Sequence, residues 1–147
     1  MRKIYIGADS AGFDLKGKII AHLEELGYEV SDRGCFTDAS CHYPEFAIKV
    51  CECVQTDLSG SFGILICGTG IGMSMSANKH KGIRAALCAD TFSARMTRMH
   101  NDANVLCLGA RVTGYALALD IVDSFLGAEY EGGRHAVRVD MINKLDK

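Results

Sequence analysis

Cys67 stands at the end of an apolar run, Ile64, Leu65 and Ile66, and at the start of a turn with glycines at alternate positions, Gly68, Gly70 and Gly72. Thr69 and Ile71 lie between those glycines, and Ser74 follows at the start of a short segment, Met73 to Lys79, of helical composition. Such a turn exposes backbone N–H groups and is followed by the positive end of a helix, so it suits an anion. The same field would lower the pKa of Cys67 and favour the thiolate, the form that acts as base or nucleophile. A cysteine packed into the core fits the position equally. Gly-x-Gly-x-Gly is neither the dinucleotide fingerprint nor a P-loop, which disfavours NAD and ATP. A Cys-x5-Arg phosphatase would need arginine where Met73 stands.

Four other places carry candidate chemistry. His100 and Asn101 fall near the end of a predicted helix, where the dipole favours the imidazolium and tunes an acid or base across neutral pH; a solvated surface histidine is the alternative. Arg134 and Arg138 are four apart in the first turns of a predicted last helix, on one face, and oppose its dipole unless an anion sits between them, so they read as a phosphate clamp. Asp9, with Ser10 after it, ends the first predicted strand, where ligand contacts gather in open α/β sheets; a turn or cap role is the alternative. Tyr43 precedes the only proline, Pro44, as a packed anchor or a pocket wall.

The elements that would position these residues alternate along the chain. Strands are expected at Lys3–Ala8, Tyr28–Ser31, Ile64–Ile66, Ile83–Ala89 and Asn104–Leu108. Helical stripes are Leu15, Ile19, Leu23 and Leu26; Ala47, Val50, Cys51, Val54 and Leu58; Phe92, Met96 and Met99; and Val137, Met141 and Leu145. Leu117, Leu119, Ile121, Val122, Phe125 and Leu126, in a helix capped by Thr113, leave little polar face and imply burial against another subunit. Alternation of this kind predicts a Rossmann-like three-layer α/β/α sandwich with a five-stranded parallel sheet and a C-terminal helix.

Residues 1–147 are enough for one domain with a continuous core. A formal charge of −2 gives no case for a nucleic-acid or polybasic membrane face, and no apolar run spans a bilayer. Seven cysteines with no Cys-x-x-Cys, and histidines without metal-binding spacing, fit a reducing cytoplasm and no metal site.

Five segments together resemble ribose-5-phosphate isomerase type B, in the family that also holds the galactose-6-phosphate isomerase subunits: Gly-Ala-Asp-Ser-Ala-Gly-Phe (7–13), Ile-Leu-Ile-Cys-Gly-Thr-Gly-Ile-Gly (64–72), Asn-Lys-x-x-Gly-Ile-Arg-Ala (78–85), His-Asn-Asp-x-Asn-Val-Leu (100–106) and Glu-Gly-Gly-Arg-His (131–135). The resemblance implies a cofactor-free aldose–ketose isomerase working through an enediolate. In it Cys67 would be the base, Thr69 a proton shuttle, and the N–H groups from Gly70 to Ser74 the oxyanion donors. His100 would open the sugar ring, with Asp9 on the ring oxygen or hydroxyls. Asn101 and Tyr43 would hold the sugar, and Arg111, Arg134 and Arg138 its phosphate. A homodimer with shared sites is implied, or a tetramer of such dimers, with His100, Asn101 and Arg111 coming from the partner. Ser10 stands where the family usually has histidine, which opens room for a six-carbon substrate such as allose or galactose 6-phosphate. Two readings of other classes are a sugar-phosphate-binding regulator without turnover and a cysteine hydrolase using Cys67, His100 and Asn101.

Overall fold

The computed structural model describes residues 1–147. Its central strand, β3 (Ser61–Cys67), is buried at every residue, as expected of an apolar run covered on both sides. With β1 (Lys3–Ala8), β2 (Val30–Asp32), β4 (Ala85–Leu87) and β5 (Val105–Gly109) it forms an all-parallel sheet in the order β2-β1-β3-β5-β4. Alternate side chains serve opposite faces. Ile64 and Ile66 pack in the core under α1 (Phe13–Glu25), α4 (Thr91–Asn101) and α5 (Tyr115–Leu126), whereas Leu65 and Cys67 pack under α2 (Tyr43–Thr56) and α3 (Ile71–Ala77). The last helix, α6 (Arg134–Asn143), lies against α4. The three-layer sandwich is therefore as expected.

From β1 the chain places β2 on one side and β3 on the other, so the switch point falls between the carboxyl ends of β1 and β3. Asp9 leaves one strand there and Cys67 ends the other, with the Asp9 N–H donating to the Ile66 carbonyl at 3.1 Å. A crevice at this position is where open α/β sheets receive ligands.

Several helical stripes differ from expectation, each for a physical reason. Leu58 is 98% exposed because α2 stops at Thr56, and Leu26 lies past the end of α1. On α4 the inward residues are Ala94 and Arg98, with Phe92 exposed. Arg98 tolerates burial because its Nη1 donates to Asp102 Oδ1 at 2.9 Å and the Ala103 carbonyl at 2.7 Å, and its guanidinium lies over the Phe62 ring at 4.6 Å. α6 turns His135 and Val139 inward, leaving Val137, Met141 and Leu145 in solvent. The apolar surplus expected on α5 is largely absorbed by its own chain. Ile121, Val122 and Phe125 are fully buried, Leu119 and Leu126 pack on the same core, and only Leu117 stays exposed. Its cap is Gly114 rather than Thr113.

Lys16, which the sequence reading passes over, is 2% exposed on α1. Its ammonium donates to both Asp32 oxygens, at 2.7 and 2.9 Å, and to the Cys35 carbonyl. It thereby pins the start of the 33–42 connection that leads to Tyr43.

Candidate active site

The turn after β3 is built from backbone. Gly70 adopts φ +80°, a left-handed conformation natural to glycine, and brings its N–H to 3.1 Å from Cys67 Sγ. The Ile71 N–H donates to Thr69 Oγ1 at 3.3 Å, and the Ser74 N–H to the Gly70 carbonyl at 3.0 Å. The Ser74 hydroxyl donates to the Ile71 carbonyl at 2.8 Å. Of the five N–H groups from Gly70 to Ser74, those of Gly72 and Met73 have no acceptor within the chain. These two are the donors that the run leaves free.

The environment of Cys67 differs from that of the other buried thiols. Burial pushes Cys51 up to about 12 and Cys88 up to about 11, and raises Cys107 well above the ordinary thiol range. These three are core residues. Cys67, at 5% exposure, packs in the same cluster as Cys51 and Cys107, but it ends β3 at the switch point and takes an N–H at its sulfur.

Three neighbours close on the turn. The Tyr43 ring lies where a Cβ on Gly72 would stand only 2.5 Å from it, so Tyr43 and Gly72 are in face contact. The Arg111 N–H donates to the Gly68 carbonyl at 3.0 Å, and its guanidinium passes 3.5 Å from the Cβ position of Gly68. Arg111 thus lies beside the Cys67 turn of its own chain, although the resemblance implies that it comes from a partner. Asp9 accepts from the Gly12 N–H at 3.1 Å, which makes it a turn-former as well as a crevice residue, and Ser10 lies within that same turn.

Two glycines that sequence reasoning missed permit this packing. A Cβ on Gly109 would meet the Thr69 backbone at 2.6 Å, and one on Gly12 would meet the Ile66 carbonyl at 2.6 Å. The only available signal was a glycine at each strand-to-loop junction next to a candidate site residue.

His100, Asn101, Arg134 and Arg138 are placed elsewhere. α4 runs antiparallel to the strands, so its end reaches the amino edge of the sheet, where Arg84 at the start of β4 bonds the Asn101 and Asp102 carbonyls. The His100 level is separated from Cys67 by roughly four strand residues, about 13 Å. α6 begins beside it: Glu131 N–H donates to the Met99 carbonyl at 3.0 Å, and the His100 and His135 rings stack at 4.2 Å, 14° from parallel. Arg134 and Arg138 are exposed, and neither pairs with a carboxylate in the chain.

His100, Glu131 and His135 have ligand atoms within 4.8 Å of one another, a grouping no spacing in the sequence suggests. Near-parallel rings, however, aim their in-plane lone pairs side by side instead of at a common point. The arrangement is a stack before it is a metal site.

Comparison with known proteins agrees along the whole chain. Residues 4–142 match the family model described as Ribose/Galactose Isomerase. The chain is 49% identical to ribose-5-phosphate isomerase B of Escherichia coli K12, over 100% of this chain and 98% of that protein. The structure of ribose-5-phosphate isomerase B from Clostridium thermocellum superposes with a TM-score of 0.95 at 52% identity, covering 97% of this chain and 96% of that one. That of the Mycoplasma genitalium protein, with bound ribulose-5-phosphate, gives 0.93 at 43% identity, covering 97% and 94%.

Proposed function

The chain belongs to the ribose/galactose isomerase family and is a sugar-phosphate aldose–ketose isomerase; from that premise we propose that it interconverts ribose 5-phosphate and ribulose 5-phosphate through an enediolate, without a cofactor. The observation that carries this reading is the convergence of Cys67, Asp9, Tyr43 and Arg111 on one crevice at the switch point. The Cys67 thiolate takes the proton from C2 of the open-chain aldose and returns it to C1. Thr69 passes the hydroxyl proton between O2 and O1. Negative charge developing on the oxygens is met by the free N–H groups of Gly72 and Met73, a contribution that is commonly the largest in such reactions. Gly68, Ile71 and Ser74 shape the wall of the turn, Asp9 and Ser10 meet the sugar hydroxyls, and Tyr43 covers them.

Ring opening needs an acid and a base at the ring oxygen and O1, and His100 is the group suited to it. Within one chain it stands at the wrong end of the sheet. The reading therefore includes a homodimer in which His100 and Asn101 of one subunit face the Cys67 crevice of the other, and Arg134 and Arg138 join Arg111 around the phosphate. Exposed apolar side chains support such a pairing: Ile71 and Met75 on α3 flank one half-site, and Val137 and Met141 on α6 flank the other.

Purified protein incubated with ribose 5-phosphate, without metal or nucleotide, should yield ribulose 5-phosphate. A parallel incubation with allose 6-phosphate tests whether Ser10 widens the choice of sugar. No ketose from either substrate would sink the proposal.

A further inference from the structure

We propose that His135 is a positioning residue for His100, its ring serving as the flat surface that fixes the plane of the His100 imidazole for proton transfer. This rests on the reading above, in which His100 opens the sugar ring. A histidine near the end of a helix has two free side-chain torsions, and a misplaced acid or base loses rate steeply. Here the freedom is removed by a face. The rings lie 4.2 Å apart and 14° from parallel, His100 is half-buried, and His135 is 94% covered, at 6% exposure.

The face is itself held from behind. Glu131 Oε2 lies 3.5 Å from His135 Nε2, and the Glu131 N–H is bonded to the Met99 carbonyl, one residue before His100. Gly132 and Gly133, at φ +66° and +55°, turn the chain so that α6 starts beside the end of α4, and the His135 N–H closes that turn on the Gly132 carbonyl at 3.0 Å. Two stacked imidazolium ions would repel. Burial, then the neighbouring His100 and Arg134, push His135 below the ordinary imidazole range, with Glu131 opposing and Arg138 adding to the shift. The stack thus favours a neutral His135 ring.

The test compares His135→Leu, which fills the space without a flat face, with His135→Phe, which keeps the face and loses the nitrogens. On ribose 5-phosphate, His135→Leu should lose about tenfold or more in kcat with KM within about twofold, and His135→Phe should stay within about threefold of wild type in both. In histidine-labelled protein the His100 ring resonances should lose their ring-current displacement in His135→Leu and keep it in His135→Phe. Equal kcat in wild type and His135→Leu overturns the proposal, and so does a raised KM with unchanged kcat in both variants, which would make His135 a substrate contact. Should His135→Leu fail to fold, a folded His135→Phe with kcat reduced tenfold overturns it alone. His100→Ala separates the two readings: if that variant turns over normally, the role of His100 is wrong, whereas the ring resonances still report whether His135 holds the imidazole.

Discussion

The two ends of the sheet are built by opposite means. At the carboxyl edge, the Cys67 turn is made of backbone: glycines, amide groups, and strands whose register leaves no room for adjustment. At the amino edge, the His100 group is made of side chains from two helix ends, joined by a glycine turn and one ring stack. A backbone-built half is rigid and suits the step in which charge must be met without reorganisation. A side-chain half adapts, and suits binding a phosphate and moving protons on a ring that changes shape. Neither half contains the groups of the other, and the strands between them keep them apart within one chain.

The largest effect comes from breaking each half separately. Cys67→Ala and His100→Ala should each reduce isomerisation of ribose 5-phosphate to background. Mixed under conditions that exchange subunits, they should recover roughly a quarter of wild-type activity, because about half the dimers are mixed and each mixed dimer has one of two sites whole. Verified exchange with no recovery would show that the halves do not meet across a two-fold axis. Arg111→Ala sharpens the test. Since Arg111 lies on the Cys67 turn, it should complement His100→Ala and fail to complement Cys67→Ala.

A smaller effect tests the claim that the carboxyl end is rigid. In Gly109→Ala the new methyl would lie 2.6 Å from the Thr69 backbone, which cannot give way as a side chain can. We expect a loss of about 1–3 kcal/mol in stability and a larger proportional loss in kcat than in substrate affinity, because the turn moves with Thr69. Gly17→Ala, on an exposed position of α1 with nothing within 4 Å, is the control and should stabilise by about 0.5–1 kcal/mol. Equal behaviour of the two variants in a urea titration would mean that the turn yields easily.

The same contrast explains what could be read in advance. The Cys67 turn was legible because its cause is local: an apolar run followed by alternating glycines makes a strand and a loop whatever the rest of the chain does. Asp9 and Tyr43 were legible as positions, but their contacts with Gly12 and Gly72 depend on strand order. The stack of His100 on His135 was hidden, since those residues are distant in sequence and meet only through the turn at Gly132 and Gly133. Arg98 and Lys16 were hidden for another reason. Hydrophobic periodicity assigns charged residues to the surface, and it has no means of seeing that the half-buried Asp102 and Asp32 stand within reach to neutralise them. The resemblance places Arg111 with the partner's half, and its contact with Gly68 in its own chain becomes visible only once the loop after β5 is set beside the Cys67 turn.

The smallest effect concerns the adaptable end and needs no substrate. His135 has its pKa lowered in the folded protein by burial first and then by His100 and Arg134, relative to an ordinary value of 6.5. The unfolded chain therefore takes up a proton at this residue before the folded protein does, and between the ordinary value and the lowered one it binds more protons. Stability contributed by the neutral ring is fully present above pH 6.5 and is lost as pH falls toward the folded value. His135→Phe lacks the titrating group and keeps the face, so its stability should fall less on acidification from about pH 7.5 to about pH 5. Charged groups remote from His135, such as the His22–Asp123 pair, are the same in both proteins and drop out of the difference. Urea midpoints of the two proteins measured across that range should diverge in this direction. Parallel curves would mean that His135 takes up its proton without cost in the fold.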